Sequence, residues 1–587
     1  APVLFAFFTS ALAAADTERI RSDVARLAGP AWQGRRAGTP GADMAAEWIA
    51  DEFRRSGLAP AGDGATYFQS FTFVDGVELG AANRLSRAGG EEWRFREDFV
   101  PLAFSSGGPF DGEVAFAGYG LVAPDLGYDD YAGLDVKDKV VVVLRYGPGG
   151  HDPGSRWAAF TPLRVKVGNA RERGARALLV VTGPASSGPG VGDTLVSLRG
   201  EGSLVDAGIP ALSVRRAVAE ALLAPSGTSL EAAQRRIDES GRPSSFLVPG
   251  ARAQGRADVS PRRSRTRNVA GLLRGSDPAG QVVVVGAHYD HLGLGAFASL
   301  DPSPEGKLHA GADDNASGVS ALLELARRLS GRRPRKSVLF AAFGAEEQGV
   351  LGSSYMVRSP PVPLERVAAM INMDMVGRLR ESTLDVHGAG TSPLWPRLLE
   401  QASAGPALKL RTQEGGYGPS DHSPFYAAGR PVLFFFTGAH EDYHRPSDTA
   451  ERVDAAGVSR VVDVVEGVVM GLARSPEPVP FTRVAAEKEQ ATPARGFRVW
   501  VGGIPDYSAQ EPGVRFTGVT PGSPAEKAGV QGGDVLVRFG GREIRDVYDY
   551  TDALGQHKPG DRVAVVVRRA GTEVPLEVVL GSRPAAH

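Results

Sequence analysis

Acidic and imidazole residues recur in this chain wherever an apolar run ends. "VVVVGAHYDHLG" delivers His288 and Asp290, two apart and therefore on one side of extended chain. "HAGADDNASG" carries Asp313 and Asp314 just ahead of a helical pattern, "VLFAAFGAEEQG" ends in Glu346 and Glu347, "INMDMVG" carries Asp374, and "EDYHRPSDT" brings His444 behind the apolar "PVLFFFTG". Each has an ordinary reading on its own: a satisfied structural histidine, aspartates capping a helix N-terminus, a solvated glutamate loop, Asp448 as a helix cap. Those readings do not account for the convergence. Of ten histidines, seven (His288, His291, His309, His387, His422, His440 and His444) fall in one stretch, among carboxylates that would repel one another unless a cation neutralised them. The chain has no cysteine, so a metal would have to be held by His and carboxylate, donors that suit zinc, with cobalt or manganese in substitution. Two such ions, about 3.5 to 4 Å apart, require a carboxylate shared between them. Adjacent glutamates suit that arrangement, because one can bind metal while its neighbour, pointing elsewhere, stays free as a base.

The elements that must position these groups are legible as texture. From about 266 to 474, near-continuous apolar strands alternate with amphipathic helices, "GVSALLELARRLSG" and "VSRVVDVVEGVVMGLAR" among them. That pattern predicts an α/β fold with a mixed, mostly parallel sheet covered by helices on both faces, and a crevice at the carboxyl ends of its strands. "ADMAAEWIADEFRRSGL" reads as an earlier amphipathic helix. From about 100 to 255 short apolar strands between Gly and Pro punctuation, with one helical stretch at "VKVGNARERGA", predict a separate β-rich unit. "SPEPVP" reads as a linker, and the following stretch of short strands around one small helix as a last domain.

Composition bounds the partners. With 66 Lys and Arg against 68 Asp and Glu, no net field draws the chain to nucleic acid or anionic lipid. "APVLFAFFTSALAAADTERI" reads as a clipped signal peptide with processing near Ala15 and Asp16, the alternative being a short N-terminal core helix. No later apolar run reaches the roughly 18 residues of a membrane span, so a periplasmic or secreted protein without stable membrane insertion is expected.

Taken together, "GAHYDHLG", "GADDNASG", "AEEQGVLGS", "NMDMVG" and "YHRPSDT", with the early "GRRAGTPGADMAAEWIADEF", resemble the dizinc aminopeptidases of clan MH, the bacterial leucyl aminopeptidases among them. That superfamily also holds glutamate carboxypeptidase and the catalytically inactive transferrin receptor, and its zinc peptidases have a phosphorylase/hydrolase-like fold. The resemblance implies His288 and Asp374 on one zinc, Glu347 and His444 on the other, and Asp314 as the bridge. It implies Glu346 as general base and Asp290 as the carboxylate that fixes the tautomer of His288. His291, His309 and His440 match no ligand position and are read as structural or rim residues. "SDHSPF", with Asp421 and His422, resembles a substrate-pocket segment, a well-bonded loop being the other reading; Tyr443 is the candidate donor to a tetrahedral oxyanion.

The other regions resemble known modules. "FAGYGLVAPDLGYDDYAGLDVKDKVVVVLRYG" and "NARERGARALLVVTGP" are similar to a protease-associated domain, and "VTPGSPAEKAGVQGGDVLVRFGG" resembles a bacterial PDZ domain, a small β-sandwich or barrel in which "VGGIPDY" replaces the usual carboxylate-binding loop. The expected organisation is a signal-peptide remnant at 1–15, a peptidase domain in two parts at 16–90 and 265–475, the protease-associated insertion at 95–258, a linker at 476–493 and the PDZ domain at 494–583. The implied activity is removal of N-terminal residues from peptides with free N-termini, using two zinc ions per chain, with a peptide C-terminus as a further partner at the PDZ domain. A carboxypeptidase or deacylase on the same dimetal site, and a peptide-binding scaffold without activity, are the alternatives.

Overall fold

Three apolar runs, Val282–His288, Ser337–Phe343 and Val367–Met373, are buried along their whole length in the computed structural model. The structure describes residues 16–484 and 499–582, apart from 91, 153, 159, 187–190, 199–205, 278–279, 296–297, 302–305, 506–510, 521, 546–548, 551–552 and 555–556. The N-terminal run read as a signal peptide, and residues 485–493 of the linker, therefore lie outside the described residues.

The larger sheet contains β1 (Phe68–Leu79), β2 (Val259–Leu273), β3 (Val282–His288), β4 (Ser337–Phe343), β5 (Val367–Met373), β6 (Thr383–His387), β7 (Lys409–Gln413) and β8 (Val432–Phe436). Its order runs β2, β4, β3, β5, β8, β6, β7, with β1 paired to β2. The central pairs β4/β3, β3/β5 and β5/β8 are parallel, while β2/β4 and β6/β8 are antiparallel. Strands buried on both faces are what a helix-covered parallel sheet requires. Val283, Val285 and Ala287 pack into one core with α1 (Pro40–Arg55), α2 (Gly318–Leu329) and the long α6 (Ala455–Arg474). Val282 and Val284 face the other way, into a core with Met356 of α3 (Leu351–Arg358) and with Phe425 and Tyr426 of α5 (His422–Ala427); α4 (Trp395–Ser403) lies between these helices in the chain.

This order fixes where chemistry can occur. The chain passes from β3 to β4 on one side, then returns to β5 on the other, so strand order reverses between β3 and β5. Loops leaving the carboxyl ends diverge at such a switch point and open a crevice. His288 is the last residue of β3, and Asp374 directly follows β5.

Residues 84–257 fold as a second sheet in the order Arg84–Arg87, Phe246–Ala257, Gly108–Phe116, Val140–Leu144, Ala177–Val181, Ala211–Val214, Phe99–Pro101. Here the structure departs from the expectation of a single helical stretch. Besides Leu163–Glu172 there are helices at Arg216–Leu223 and Leu230–Ser240. The last carries an ordinary start and stop, Ser229 accepting from the Ala232 N–H and Gly241 closing it in the left-handed region, but its charged outer face masks the buried Leu230, Ala233 and Ile237 stripe. Buried Lys166 ties this unit together, donating to the carbonyls of Tyr119 (2.6 Å) and Leu144 (2.8 Å).

The C-terminal sheet is built of Gly503–Pro505, Val514–Val519, Val535–Phe539, Arg562–Arg569 and Thr572–Val579, with a one-turn helix at Pro524–Lys527. It meets the second sheet's helix through Arg171 Nη1 and Asp549 Oδ1, 3.1 Å apart. No described helix is long and apolar enough to cross a membrane.

Candidate metal centre

The carboxyl ends of β3, β4 and β5 and the loop after β8 deliver their polar groups to one buried cluster. The turn before α2 is stitched to the end of β5: Asn315 Nδ2 donates to the Met373 carbonyl (3.1 Å) and the Val376 N–H to Ser317 Oγ (3.0 Å), which brings Asp314 alongside Asp374. His288 Nε2 lies 3.3 Å from Asp314 Oδ1 and 3.3 Å from Asp374 Oδ1. On the other side His444 Nε2 lies 3.3 Å from Asp314 Oδ2 and 3.1 Å from Glu347 Oε2. Asp314 thus turns one oxygen to each set.

These spacings allow a test of fit. Imidazole nitrogen and carboxylate oxygen bind zinc at about 2.0 to 2.2 Å, so two ligands of one tetrahedral ion stand roughly 3.3 Å apart. The pairs at 3.3, 3.3, 3.3 and 3.1 Å match that separation. The donor set, imidazole and carboxylate without thiolate, suits the same metal.

Glu346 stands outside both sets, its Oε2 4.0 Å from His288 Nε2. Burial lifts its carboxyl pKa well above the usual range, against the pull of His288. A carboxylate so shifted accepts a proton more readily than an ordinary one. Asp290 holds the glutamate pair by its backbone, accepting from the N–H groups of Glu346 (3.0 Å) and Glu347 (3.4 Å). The acceptor nearest His288 Nδ1 is the backbone carbonyl of Asp290 at 3.2 Å, its carboxylate standing at 4.0 Å. A proton on Nδ1 therefore meets the carbonyl first, leaving Nε2 toward the acidic groups. Tyr443 stacks on His444 with ring centres 3.9 Å apart. Burial, with the charges of Asp314 and Glu347, raises its hydroxyl pKa, so the phenol keeps its proton and remains a donor.

A further layer of hydrogen bonds holds these side chains, and little of it is visible in the sequence. Ser420 Oγ donates to Asp374 Oδ2 (2.8 Å) and itself accepts from Asn372 Nδ2 (2.8 Å). Asp448, read as a helix cap, instead accepts from the N–H groups of Asp313 (2.9 Å) and Asp314 (3.1 Å), and is paired with Arg378 at 3.1 Å. Asp313 turns away from that cluster, accepting from the Gly377 N–H (2.6 Å) and facing His440 Nε2 (3.1 Å). His309 bonds Ser299 (2.7 Å). His422 lies stacked on Phe434, and Asp421 beside it is fully buried. Arg35, also fully buried, donates to the carbonyls of Tyr289, Ala310 and Gly311 (2.8 Å each) and of Leu27, joining the loop of His288 to the loop of Asp314. Nothing in the turn-like "GRRAGTPG" marks it, because a turn seldom hides a guanidinium.

Without metal, protons take the place of cations. Burial opposes charge on His444, but the Asp314 and Glu347 carboxylates outweigh it and push its pKa up to about 11. His288 is likewise raised, by Asp374 and Glu346 against burial. Asp314 is held well below the usual range, its bonds to His288 and His444 overcoming burial. Imidazole binds metal only when neutral, so zinc uptake is expected to release protons, and apparent affinity to rise with pH. Titration calorimetry in buffers of different ionisation enthalpy measures this; uptake without proton release would contradict the charge state described.

Residues 268–469 match the profile described as Peptidase family M28, and residues 503–580 that of a PDZ domain. Aminopeptidase YwaD of Bacillus subtilis is 33% identical over 199 residues, 32% of this chain and 40% of its own length, so the chain spans less than half of that relative. The Probable lipoprotein aminopeptidase LpqL of Mycobacterium tuberculosis is 27% identical over 460 residues, 72% of this chain and 77% of its own. Among solved structures, an aminopeptidase from Aneurinibacillus sp. strain AM-1 aligns with a TM-score of 0.48 and 23% identity, over 80% of this chain and 96% of that one.

Proposed function

We propose, for a chain whose residues 268–469 belong to peptidase family M28 and whose residues 503–580 form a PDZ domain, that it is an exported dizinc aminopeptidase. The observation that carries this reading is Asp314, whose two oxygens face two separate sets of ligand-type atoms, His288 with Asp374 and His444 with Glu347. Those five residues would hold the two ions. The chemistry that two divalent ions supply when bound is Lewis acidity, which acidifies a water and polarises a carbonyl.

The remaining steps belong to the chain. Glu346, anchored by Asp290 and with a raised carboxyl pKa, takes the proton of the attacking water and passes it to the departing amine. The Tyr443 hydroxyl, protonated throughout, donates to the oxyanion as the carbonyl becomes tetrahedral. The names of the curated relatives support the aminopeptidase reading over other hydrolases.

The apolar N-terminal run ending in small residues supports export. The 84–257 unit is read as the protease-associated domain, walling the cleft, and the PDZ domain as a site for a peptide C-terminus added as a strand. Matched peptides with free and acetylated N-termini test the activity. Hydrolysis of the free form, abolished by acetylation, is expected; equal cleavage of both would favour a carboxypeptidase instead, and release of acetate from the acetylated form a deacylase.

A further inference from the structure

His291 occupies a position that the ligand pattern leaves out. Its side chain is fully buried in the cluster, with Nδ1 2.6 Å from Glu347 Oε1 and 3.8 Å from Asp314 Oδ2. Its ring lies edge-on to His444 at 5.8 Å, and Nε2 has no hydrogen-bond partner among the described residues.

Two roles are open to it, a further ligand or a donor, and the distances decide between them. Ligands of one zinc stand roughly 3.3 Å apart, as Glu347 Oε2 and His444 Nε2 do at 3.1 Å. A separation of 2.6 Å is too short for co-ligands and is that of a strong charge-assisted hydrogen bond. Resting on the dizinc reading, we infer that His291 is a positioning residue whose Nδ1–H binds the outer oxygen of Glu347 and so selects which of the two adjacent glutamates becomes the ligand. Oε1 is tied to His291, which leaves Oε2 turned toward His444 and the second ion. Asp290, one residue earlier, holds the same glutamate by its backbone N–H at 3.4 Å. Glu347 is thereby fixed at both ends by the "HYDHLG" loop. Among the described residues no hydrogen bond holds the Glu346 carboxylate in the same way, and it is left to move protons.

The test uses the full-length protein and zinc itself. Removing a group that orients a metal ligand costs typically about 10- to 100-fold in metal affinity. His291→Leu is expected to weaken the second zinc by about that factor while the first stays at parental affinity, and to alter the absorption spectrum of the cobalt-loaded protein. Asn places an amide N–H near where Nδ1 stands and Gln near Nε2, so His291→Asn is expected to restore zinc affinity and the cobalt spectrum, and His291→Gln not to. Asn and Gln decide the matter even if the Leu variant fails to fold. Parental affinity in the folded Leu variant, or Asn no better than Gln, would overturn the inference. A parental protein that binds fewer than two zinc ions would overturn the dizinc reading itself, and it is measured first.

Discussion

Glu346→Gln is expected to bind both metals and fold as the parent does, yet to lose turnover by about 10²- to 10⁴-fold, the range that general acid–base catalysis contributes. The substitution removes a proton acceptor and almost no volume. Glu346 lies outside the two ligand sets, 4.0 Å from His288 Nε2, so neither set loses a member. Its backbone N–H still reaches Asp290, which keeps the loop in place for Glu347. The loss should fall on kcat rather than KM, because the proton moves only during the chemical step. Metal content, melting temperature and steady-state kinetics on a free-amine peptide decide it. Turnover at the parental rate would remove Glu346 from the mechanism.

Asp314→Ala is expected to have the broadest consequence, since it removes the side chain whose two oxygens face both sets, His288 with Asp374 and His444 with Glu347. Zinc content should fall below two per chain and activity below detection, a loss of at least about 10⁴-fold. The stabilisation that zinc lends the folded state, about 2.7 kcal/mol at a hundredfold excess over its dissociation constant, should shrink with it. The neighbouring Asp313 is the control. Its carboxylate serves Gly377 and His440, so Asp313→Asn should retain both ions. If Asp313 rather than Asp314 proved essential for zinc, the order of the two aspartates in the site would be reversed.

Much of this arrangement is legible in the sequence where a residue's role depends on its own strand. β3, β4 and β5 are apolar throughout because both their faces are covered, and their ends carry the ligand-type residues because loops diverge there. Roles that depend on a partner far along the chain are not legible. β2 reads "SPRRSRTRN" over its first half because there it pairs with β1, some 190 residues earlier, as an arginine-studded ribbon. Arg35 supports loops more than 250 residues away, and nothing local marks it as buried. Asp448 looks like a cap because aspartates before helices usually are caps, whereas its acceptor pair serves a different turn. His291 falls one residue from Asp290 in a motif whose matched positions pass over it, and only the separation to Glu347 reveals its place.

The central claim is that two ions share Asp314, and anomalous diffraction at the zinc absorption edge from crystals of the zinc-loaded protein tests it most directly. The expected map has two peaks about 3.5 to 4 Å apart, one against His288 and Asp374 and one against Glu347 and His444, with an oxygen of Asp314 on each. A single peak, or a pair that Asp314 does not bridge, would contradict it.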